Sequence, residues 1–268
     1  MRALPPLAIA LLVSLAATAC GAPTTTPSTA AAGPTERVEI VVGIAASLEP
    51  VMRELGAAFE QRHTAKVVFV VGSSGTLSTQ IERGAPVDVF APAHTSFLDR
   101  LAGKSLVRPE TVRTYAEGGL ALLASGEAAS AADWRSAMSA AGVRHIAIAN
   151  PETAPYGDAA KAALERAGLW VPLRPKVVQG ENVAQVLQFV TTGNADVGFV
   201  ARSQVMPGVP PRLRVFDVPN GLHSPLPHGI AIVGATPRRA AAERFVEFIA
   251  SHDAQPTLER YGYSLPRR

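Results

Sequence analysis

The sequence predicts an α/β protein of two lobes, each of which holds a mostly parallel β-sheet flanked by helices. Short hydrophobic runs typical of strands recur along the chain from residue 38 onward. Segments with apolar residues at helical spacing alternate with them, and short turns of small residues join the two kinds of segment. This alternation is typical of parallel sheets covered by helices. Ligands of such sheets bind beyond the carboxyl ends of the strands, so we expect the site among the turns that follow the strands.

The individual elements follow from hydrophobic patterning. Strands are predicted at residues 38–44, 67–71, 87–91, 120–124, 145–149, 176–178, 196–200 and 230–233. Apolar residues at helical spacing predict one helix over residues 48–59 and another over residues 183–190. An Ala- and Leu-rich segment predicts a helix over residues 158–168, and the final helix is expected over residues 238–250.

The pattern of strands and helices restarts in the middle of the chain, which favours two lobes over one large sheet, the alternative. We predict that residues 37–119 and 222–268 form the first lobe and that residues 120–221 form the second. The chain would cross between the lobes in the apolar stretch 118–123 and return in the Pro-, Gly- and His-rich stretch 220–229. The final helix would then pack on the first lobe.

The composition is that of a globular protein, with 47% hydrophobic and 18% charged residues in a chain of 268. The formal net charge is +3, but the basic residues are scattered and are not interleaved with aromatic residues. The sequence therefore argues against nucleic-acid binding and indicates a mildly basic, solvated surface. The six histidines show no spacing typical of metal ligands.

The beginning of the chain predicts export from the cytoplasm. An apolar segment, residues 7–19, follows Arg2 and ends in small residues before Cys20 and Gly21. This pattern is typical of a secretory signal peptide and is too short to span a membrane comfortably. It resembles a bacterial lipoprotein signal, in which the cysteine is lipidated, so we predict a signal peptide over residues 1–20. A plain signal peptide with an unused cysteine is the alternative.

The residues that follow the cysteine form a predicted tether. Residues 21–36 consist mainly of Thr, Pro and Ala and cannot bury a hydrophobic core. Such a segment stays extended and disordered. A lipid anchor at Cys20, a tether and a globular body together predict a protein that works at the outer face of a membrane.

Four turns carry the predicted site. Ser47 lies in the turn after the first strand, and Ser74 lies in a Gly-Ser-Ser-Gly-Thr turn after the second. Residues 150–157 and 179–183 form two further turns before helices. The first N–H groups of a helix lack an intrahelical acceptor and lie at its positive end, so these turns predict an anion site that needs no Lys or Arg. The alternative is that both serines are helix N-caps, each stabilising its helix by about 1 kcal/mol.

Several segments, in order along the chain, resemble the periplasmic molybdate-binding proteins of ABC importers. They are Val-Gly-Ile-Ala-Ala-Ser-Leu (42–48), Gly-Ser-Ser-Gly-Thr-Leu (72–77), Gly-Ala-Pro-Val-Asp-Val-Phe (84–90), Asn-Pro-Glu-Thr-Ala-Pro-Tyr-Gly (150–157), Glu-Asn-Val-Ala-Gln-Val-Leu (181–187), Asp-Val-Gly-Phe-Val (196–200) and Arg-Tyr-Gly-Tyr (260–263). The resemblance runs from residue 38 to residue 265. It implies a two-lobed type II periplasmic-binding-protein fold with a tetrahedral oxyanion in the cleft between the lobes.

The resemblance also implies four ligand-binding residues. Ser47 and Ser74 would each donate a hydroxyl and a backbone N–H, whereas Tyr156 and Val183 would donate backbone N–H groups. The family often adds a tyrosine hydroxyl just after the Gly-x-Val strand, and in this sequence Ala201 stands there.

The alanine at position 201 removes one expected donor. Arg202 and Ser203 are the neighbouring residues that could replace it, and an exposed arginine with no role in binding is the alternative. Acidic residues also lie near the turns, at positions 49, 158 and 181. We interpret them as partners of the helix dipoles and not as ligands of a protonated anion such as hydrogen phosphate.

The function implied by the resemblance is transport and not catalysis. The protein would capture molybdate and tungstate outside the cytoplasm, either anchored to the membrane or periplasmic, and deliver them to an ABC permease. It would be a monomer without a cofactor, and molybdenum would be present only within the bound anion, with no protein atom coordinating the metal.

Three alternatives to molybdate binding stay open. One is a binding protein for another oxyanion such as sulfate, and another is an adhesion module without a ligand. The third is a secreted serine hydrolase that uses Ser74. The turn around Ser74 lacks the second glycine of a nucleophile elbow, because Thr76 stands in its place.

Overall fold

The computed structural model describes residues 37–266. The predicted signal peptide, the lipidation site at Cys20 and the tether lie outside the described residues. None of the helices in the described range has the length and hydropathy needed to cross a bilayer.

Strands and helices alternate along the described chain, as the sequence predicts. The strands are β1 (Val38–Ala45), β2 (Ala65–Gly72), β3 (Val89–Ala91), β4 (Arg113–Gly118), β5 (Leu120–Ser125), β6 (Ile146–Ala149), β7 (Val177–Gly180), β8 (Val197–Ala201), β9 (Leu213–Asp217) and β10 (Leu226–Ile232). The helices are α1 (Glu49–Arg62), α2 (Ser74–Glu82), α3 (Ser96–Ala102), α4 (Trp134–Ser139), α5 (Pro155–Arg166), α6 (Trp170–Leu173), α7 (Val183–Thr191), α8 (Arg202–Val205), α9 (Arg239–Ala250) and α10 (Gln255–Arg260).

The strands form two sheets of five strands each. The first sheet has the order β2-β1-β3-β10-β4 and the second has the order β7-β6-β8-β5-β9. In the first sheet only β10 is antiparallel to the other four strands, and in the second sheet only β5 is antiparallel to the others. The predicted α/β class with mostly parallel sheets is therefore confirmed.

The chain passes between the sheets at two places. Strand β4 of the first sheet ends at Gly118 and β5 of the second begins at Leu120, so Gly119 alone separates them. The return leads from β9 to β10 and contains a short 3-10 helix at Asn220–Leu222. The exact lobe boundaries given above stay a prediction.

Two strands were not predicted from the sequence. They are β4 and β9, which lie at the outer edge of the first and second sheet. Each carries charged residues that break the apolar run, which is common in edge strands because charge there discourages pairing with other chains.

Two predicted elements begin at least three residues earlier than expected. Strand β10 begins at Leu226, because a β-bulge between His228 and Gly229 accommodates residues that normally break a strand. Helix α5 begins at Pro155 and not at residue 158, since proline has no N–H to satisfy in a first helical turn.

Aromatic side chains fix helices on the sheets. In the first sheet's core, Phe245 of α9 packs edge-to-face on Phe59 of α1, with ring centroids 5.2 Å apart. Helix α9 also contacts β1, β4 and β10, in agreement with the predicted packing of the final helix. On the second sheet, Trp134 of α4 packs against Phe199 of β8 at 6.3 Å. Both sheets are thus rigid supports for the turns at their strand ends.

Candidate functional site

The four residues predicted to bind a ligand line one small cavity. Ser47 and Ser74 follow β1 and β2 of the first sheet, while Tyr156 and Val183 follow β6 and β7 of the second. The cavity is completed by Ala45, Ala46, Gly72, Ser73, Ala93, Ala154, Pro155 and Asn182. Its volume is about 10 Å³, on the order of the space that one water molecule needs. Such a space excludes a peptide or a sugar chain.

The Ser47 side chain is buried and has no hydrogen-bond partner. The residue lies in the 3-10 turn Ala46–Leu48 and is 1% exposed. Within the described part of the chain, its Oγ makes no hydrogen bond. Its carbonyl oxygen, in contrast, accepts from the hydroxyls of Ser203 at 2.8 Å and Tyr263 at 3.1 Å. The main chain of Ser47 is therefore held from two sides while its hydroxyl remains available to a ligand.

The Ser74 hydroxyl is used on its acceptor side only. Its Oγ accepts a hydrogen bond from the Ala93 backbone N–H at 3.0 Å, which leaves its proton free to be donated. The N-cap of α2 is the preceding residue, Ser73, whose Oγ accepts from the Thr76 N–H. The N-cap interpretation is thus wrong for both predicted serines, since the 3-10 turn at Ser47 also has no side-chain cap.

The second half of the chain contributes backbone N–H groups. Tyr156 follows Pro155 in the first turn of α5, and Val183 is the first residue of α7. The Asn182 Oδ1 accepts from the N–H groups of Ala184 and Gln185, so the Val183 N–H is left unused. In residues 37–266, no protein acceptor is found for the N–H groups of Ser47, Ser74, Tyr156 or Val183.

A direct hydrogen bond joins the two sides of the cavity. The Gly75 N–H, at the start of α2, donates to the Thr153 carbonyl in the turn before α5, at 2.8 Å. A Cβ atom on Gly75 would lie 2.9 Å from the Thr153 Cα, so only glycine permits this approach. The structure therefore describes a closed arrangement of the turns.

The cavity contains no formal charge. Among the described residues that line it there is no Lys, Arg, Asp or Glu. Arg202, one candidate for replacing the missing donor, forms a 3.1 Å ion pair with Asp217 at the surface. Ser203, the other candidate, donates to the Ser47 carbonyl and so supports the site from outside. Ala201 itself is fully buried. The donors of the cavity are therefore neutral hydroxyl and N–H groups.

Three aromatic side chains under the site were not predicted from the sequence. Tyr156 Oη is buried without a partner, and Gly118 is so close to it that a Cβ there would lie 2.2 Å from Oη. The His228 ring lies 6.0 Å from the Tyr156 ring, and Tyr263 packs edge-to-face on His228 with ring centroids 5.2 Å apart. These residues come from distant parts of the chain, so no local pattern in the sequence points to them.

His228 is neutral in this environment. Its Nδ1 lies 2.8 Å from the Leu226 carbonyl, which can only accept, so Nδ1 carries the proton. Burial lowers the pKa of His228 to about 4, in spite of that bond. Burial likewise raises the pKa of Tyr156 and of Tyr263 well above the usual range. At neutral pH the layer under the cavity is therefore uncharged.

Catalytic groups are not assembled around Ser74. Its hydroxyl bonds to the Ala93 N–H, and no histidine of the described range lies within hydrogen-bond distance of it. A serine nucleophile needs such a base. The geometry of this serine therefore gives no support to the hydrolase alternative.

Comparisons with known proteins agree with this geometry. The molybdate-binding protein ModA of Rhodobacter capsulatus is 33% identical over 225 residues, which are 84% of this chain and 88% of that protein. ModA of Azotobacter vinelandii is 33% identical over 231 residues, covering 86% of this chain and 91% of that protein. The solved structure of the Azotobacter vinelandii periplasmic molybdate-binding protein matches with a TM-score of 0.80 at 29% identity, covering 85% of this chain and 100% of that chain.

These matches confirm the resemblance seen in the sequence and the periplasmic-binding-protein fold that it implies. The profile of the family described as bacterial extracellular solute-binding protein matches residues 40–264, which is most of the chain. This chain is therefore a member of the bacterial extracellular solute-binding protein family.

Proposed function

We propose that this protein captures molybdate and tungstate outside the cytoplasm and delivers them to the permease of an ABC importer. The observation that carries the proposal is the convergence of four predicted donors, Ser47, Ser74, Tyr156 and Val183, on one cavity without charged side chains. The printed names of the relatives, which are molybdate-binding proteins, support the same ligand.

The donor set is sufficient for tight binding of a dianion. The four residues would offer two hydroxyls and four backbone N–H groups that have no protein acceptor in the described range. A hydrogen bond to a charged partner contributes roughly 1.5–3 kcal/mol. The gross interaction is then on the order of 10–20 kcal/mol. After the costs of ordering and desolvation, a binding free energy of about −8 to −12 kcal/mol, micromolar to nanomolar, is reasonable.

Protonation gives the site its selectivity against phosphate. Molybdate, tungstate and sulfate carry no proton at neutral pH and need only donors. Hydrogen phosphate carries a proton and needs an acceptor, usually a carboxylate. None of the described lining residues has a carboxylate, so phosphate would bind weakly. Discrimination between molybdate and sulfate would then follow from the size of the closed cavity.

The proposal needs neither a cofactor nor catalysis. Within residues 37–266 no group of three or more His, Cys, Asp or Glu side chains is arranged to hold a metal ion. Molybdenum would therefore enter only as the oxyanion, through its oxygen atoms. We propose a monomer whose lobes comprise residues 37–119 with 222–268 and residues 120–221, and which closes around the anion.

We also propose a lipid anchor at Cys20. The support is the apolar segment that ends in small residues before Cys20 and Gly21. The Thr- and Pro-rich residues 21–36 would then serve as a tether between the membrane and the binding body. This arrangement keeps the body near its permease at the outer face of the membrane.

The function is tested by isothermal titration of residues 37–268 with molybdate, tungstate, sulfate and phosphate. We expect micromolar or tighter binding of the first two and weak binding of sulfate and phosphate. At one hundred times Kd, molybdate should also raise the free energy of unfolding by about 2.7 kcal/mol. Tighter binding of sulfate than of molybdate would assign another oxyanion. No binding in protein shown to be free of anion would reject the proposal.

A further inference from the structure

We infer that Ser203 is a positioning residue of the binding site. Its hydroxyl holds the Ser47 turn against the second sheet while the turns are closed, and the bond is broken when they open, so it sets how fast a bound anion is released. The inference rests on the proposed function, because it concerns the anion that this site would bind. Ser203 does not line the cavity, so it acts through Ser47 and not by contact with the anion.

The first argument is that the hydrogen bond of Ser203 crosses from one sheet to the other. Ser203 lies in α8, directly after β8 of the second sheet, and Ser47 lies in the turn after β1 of the first. The Ser203 Oγ donates to the Ser47 carbonyl at 2.8 Å, across 156 positions of the chain. Both residues are buried, at 2% and 1% exposure. The bond is therefore shielded from water, and it joins the part of the molecule with Ser47 to the part with Tyr156 and Val183.

The second argument is that each of the two site serines lies beside such a crossing bond. The Gly75 N–H, next to Ser74, donates to the Thr153 carbonyl at 2.8 Å. The Gly75 bond brings together two turns at the cavity, whereas the Ser203 bond lies outside the cavity lining and fixes the main chain of Ser47. Closure is thus held at both serines, and in each case the serine hydroxyl stays available to a ligand.

The third argument is that the Ser47 carbonyl can lose Ser203 without being left unpaired. The same oxygen accepts from the Tyr263 hydroxyl at 3.1 Å. Tyr263 belongs to the side of the first sheet, because the next residue, Ser264, pairs with Glu117 of β4. When the turns separate, Tyr263 keeps the oxygen paired and water takes up the Ser203 hydroxyl. Opening then costs one hydrogen bond and leaves no buried acceptor unpaired, which would be far more costly.

The fourth argument is the position of α8 near the first crossing point. The Arg202 N–H donates at 2.9 Å to the carbonyl of Gly119, the residue that separates β4 from β5. On its other side, α8 contacts the Ser47 turn and α1. A hydrogen bond of 2.8 Å is lost when its length grows by about 1 Å. A small rotation at the crossing is therefore enough to break the bond of Ser203, and closure restores it.

The experiment measures how fast the full-length protein, purified in detergent, releases radiolabelled molybdate into an excess of unlabelled molybdate. Calorimetry gives Kd, and the association rate follows from Kd and the release rate. Ser203→Ala should accelerate release about three- to tenfold, because the closed form loses one hydrogen bond. The association rate should stay within about twofold of the wild type, since the open form that captures the anion does not use this bond.

Ser125→Ala is the matched control. It also removes a serine hydroxyl that donates to a carbonyl, that of Asp196 at 3.0 Å. Ser125 ends β5 and Asp196 directly precedes β8, so this bond stays within the part of the molecule built on the second sheet. Its release rate should equal that of the wild type.

Tyr263→Phe separates this role from a purely structural one. It takes the other hydrogen bond from the same Ser47 carbonyl, but that bond does not cross between the sheets. Release should be accelerated by a smaller factor than in Ser203→Ala. Equal factors would show that both hydroxyls only fix the turn, and this would overturn the inference. A wild-type release rate in Ser203→Ala, or slower association with unchanged release, would overturn it as well.

The remaining outcomes separate this inference from the proposed function. If Ser203→Ala does not fold, Ser203→Cys fills a similar space with a weaker donor. It should release molybdate faster than the wild type, and unchanged release overturns the inference while the proposed function stands. Failure of the anion-free wild type to bind molybdate overturns the proposed function, and the inference falls with it.

Discussion

The Gly75 N–H donates a hydrogen bond of 2.8 Å to the Thr153 carbonyl. This bond joins helix α2, which follows β2 of the first sheet, to the turn that follows β6 of the second. Because the approach leaves no room for a Cβ atom, this pair depends on glycine. Closure of the cavity therefore requires a glycine at position 75.

Gly75→Ala should impair closure without impairing the fold. The added methyl would lie 3.0 Å from the Thr153 carbonyl oxygen, so the two turns must separate. We expect at least about tenfold weaker binding of molybdate, with an unchanged or higher melting temperature because alanine favours helices. Gly103→Ala is the control, since its Cβ would meet no atom closer than 3.5 Å. Equal affinities in calorimetry for Gly75→Ala and the wild type would contradict the prediction.

Ser47→Ala and Ser74→Ala should each weaken binding by about 1.5–3 kcal/mol, because each removes a hydroxyl donor to a dianion. The melting temperature of Ser47→Ala should change little, since Ser47 caps no helix. Ser74→Ala should also lose about 1–3 kcal/mol of stability, because the buried Ala93 N–H loses its acceptor. Ser73→Ala is the matched control in the same turn. It removes the cap of α2 and should cost about 1 kcal/mol of stability with little effect on affinity. Calorimetry measures the affinities, and thermal melts measure the stabilities. Loss of affinity in Ser73→Ala with wild-type affinity in Ser74→Ala would contradict our interpretation of the turn.

Folding stability should fall between pH 6.5 and pH 4 because of His228. Its folded-state pKa of about 4 lies below the usual value of 6.5, so the unfolded chain binds more protons in this window. The stability that depends on neutral His228 is fully present above pH 6.5. It is lost as the pH falls, and the loss levels off near pH 4. The total is about 3 kcal/mol. Tyr156 and Tyr263, whose rings pack against His228, stay neutral throughout this range, whereas a positive charge on His94 lowers the pKa of His228 further.

Urea unfolding at pH 7 and pH 5 measures this effect. His228→Gln should show a smaller difference in unfolding free energy between the two pH values than the wild type. His145→Gln is a suitable control, because His145 is exposed and is not among the groups that shift the pKa of His228. An identical pH dependence in wild type and His228→Gln would assign the loss of stability to other groups.

Arg202→Ala should change molybdate affinity less than twofold. The guanidinium pairs with Asp217 at the surface and does not line the cavity, and exposed ion pairs contribute about 0–1 kcal/mol. Asp217→Ala removes the other partner and should behave in the same way. A large loss of affinity in Arg202→Ala, with the fold intact, would show that the site uses a formal positive charge.

Cys20→Ala should move the protein from the membrane fraction to the soluble fraction if the cysteine is lipidated. Stable anchoring needs more than one acyl chain, and bacterial lipoproteins carry several, so the wild type should stay with the membrane. Immunoblots of separated fractions measure the distribution. Equal soluble amounts of both forms would identify a plain signal peptide.

Local patterns were sufficient to predict most of the fold and the approximate position of the site. Strand and helix periodicity identified eight of the ten described strands, and turn composition identified the four turns that line the cavity, whereas the roles of Tyr156 and Val183 were implied by the family resemblance. The edge strands β4 and β9 were missed because their charged residues hide the apolar pattern. Which of two adjacent serines caps α2 was also beyond sequence reasoning, since it depends on the position of the Ala93 N–H.

The layer beneath the cavity could not be predicted because its contacts are distant along the chain. Tyr263 reaches Ser47 across 216 positions, and no periodicity connects residues that far apart. The Tyr156 side chain was missed for a different reason. The motif that contains it predicts a backbone donor, and only the fold shows that its phenol is buried beside Gly118 and His228.

The single residue between β4 and β5, Gly119, limits how the molecule can open. With so short a connection, we expect the relative motion of the two sheets to be a rotation about the crossing points and not a sliding apart. In such a motion the turns far from the crossings travel further than the residues near Gly118. We therefore expect release of a bound solute to be an angular movement governed by a few backbone torsions, in which neither hydrophobic core has to be unpacked.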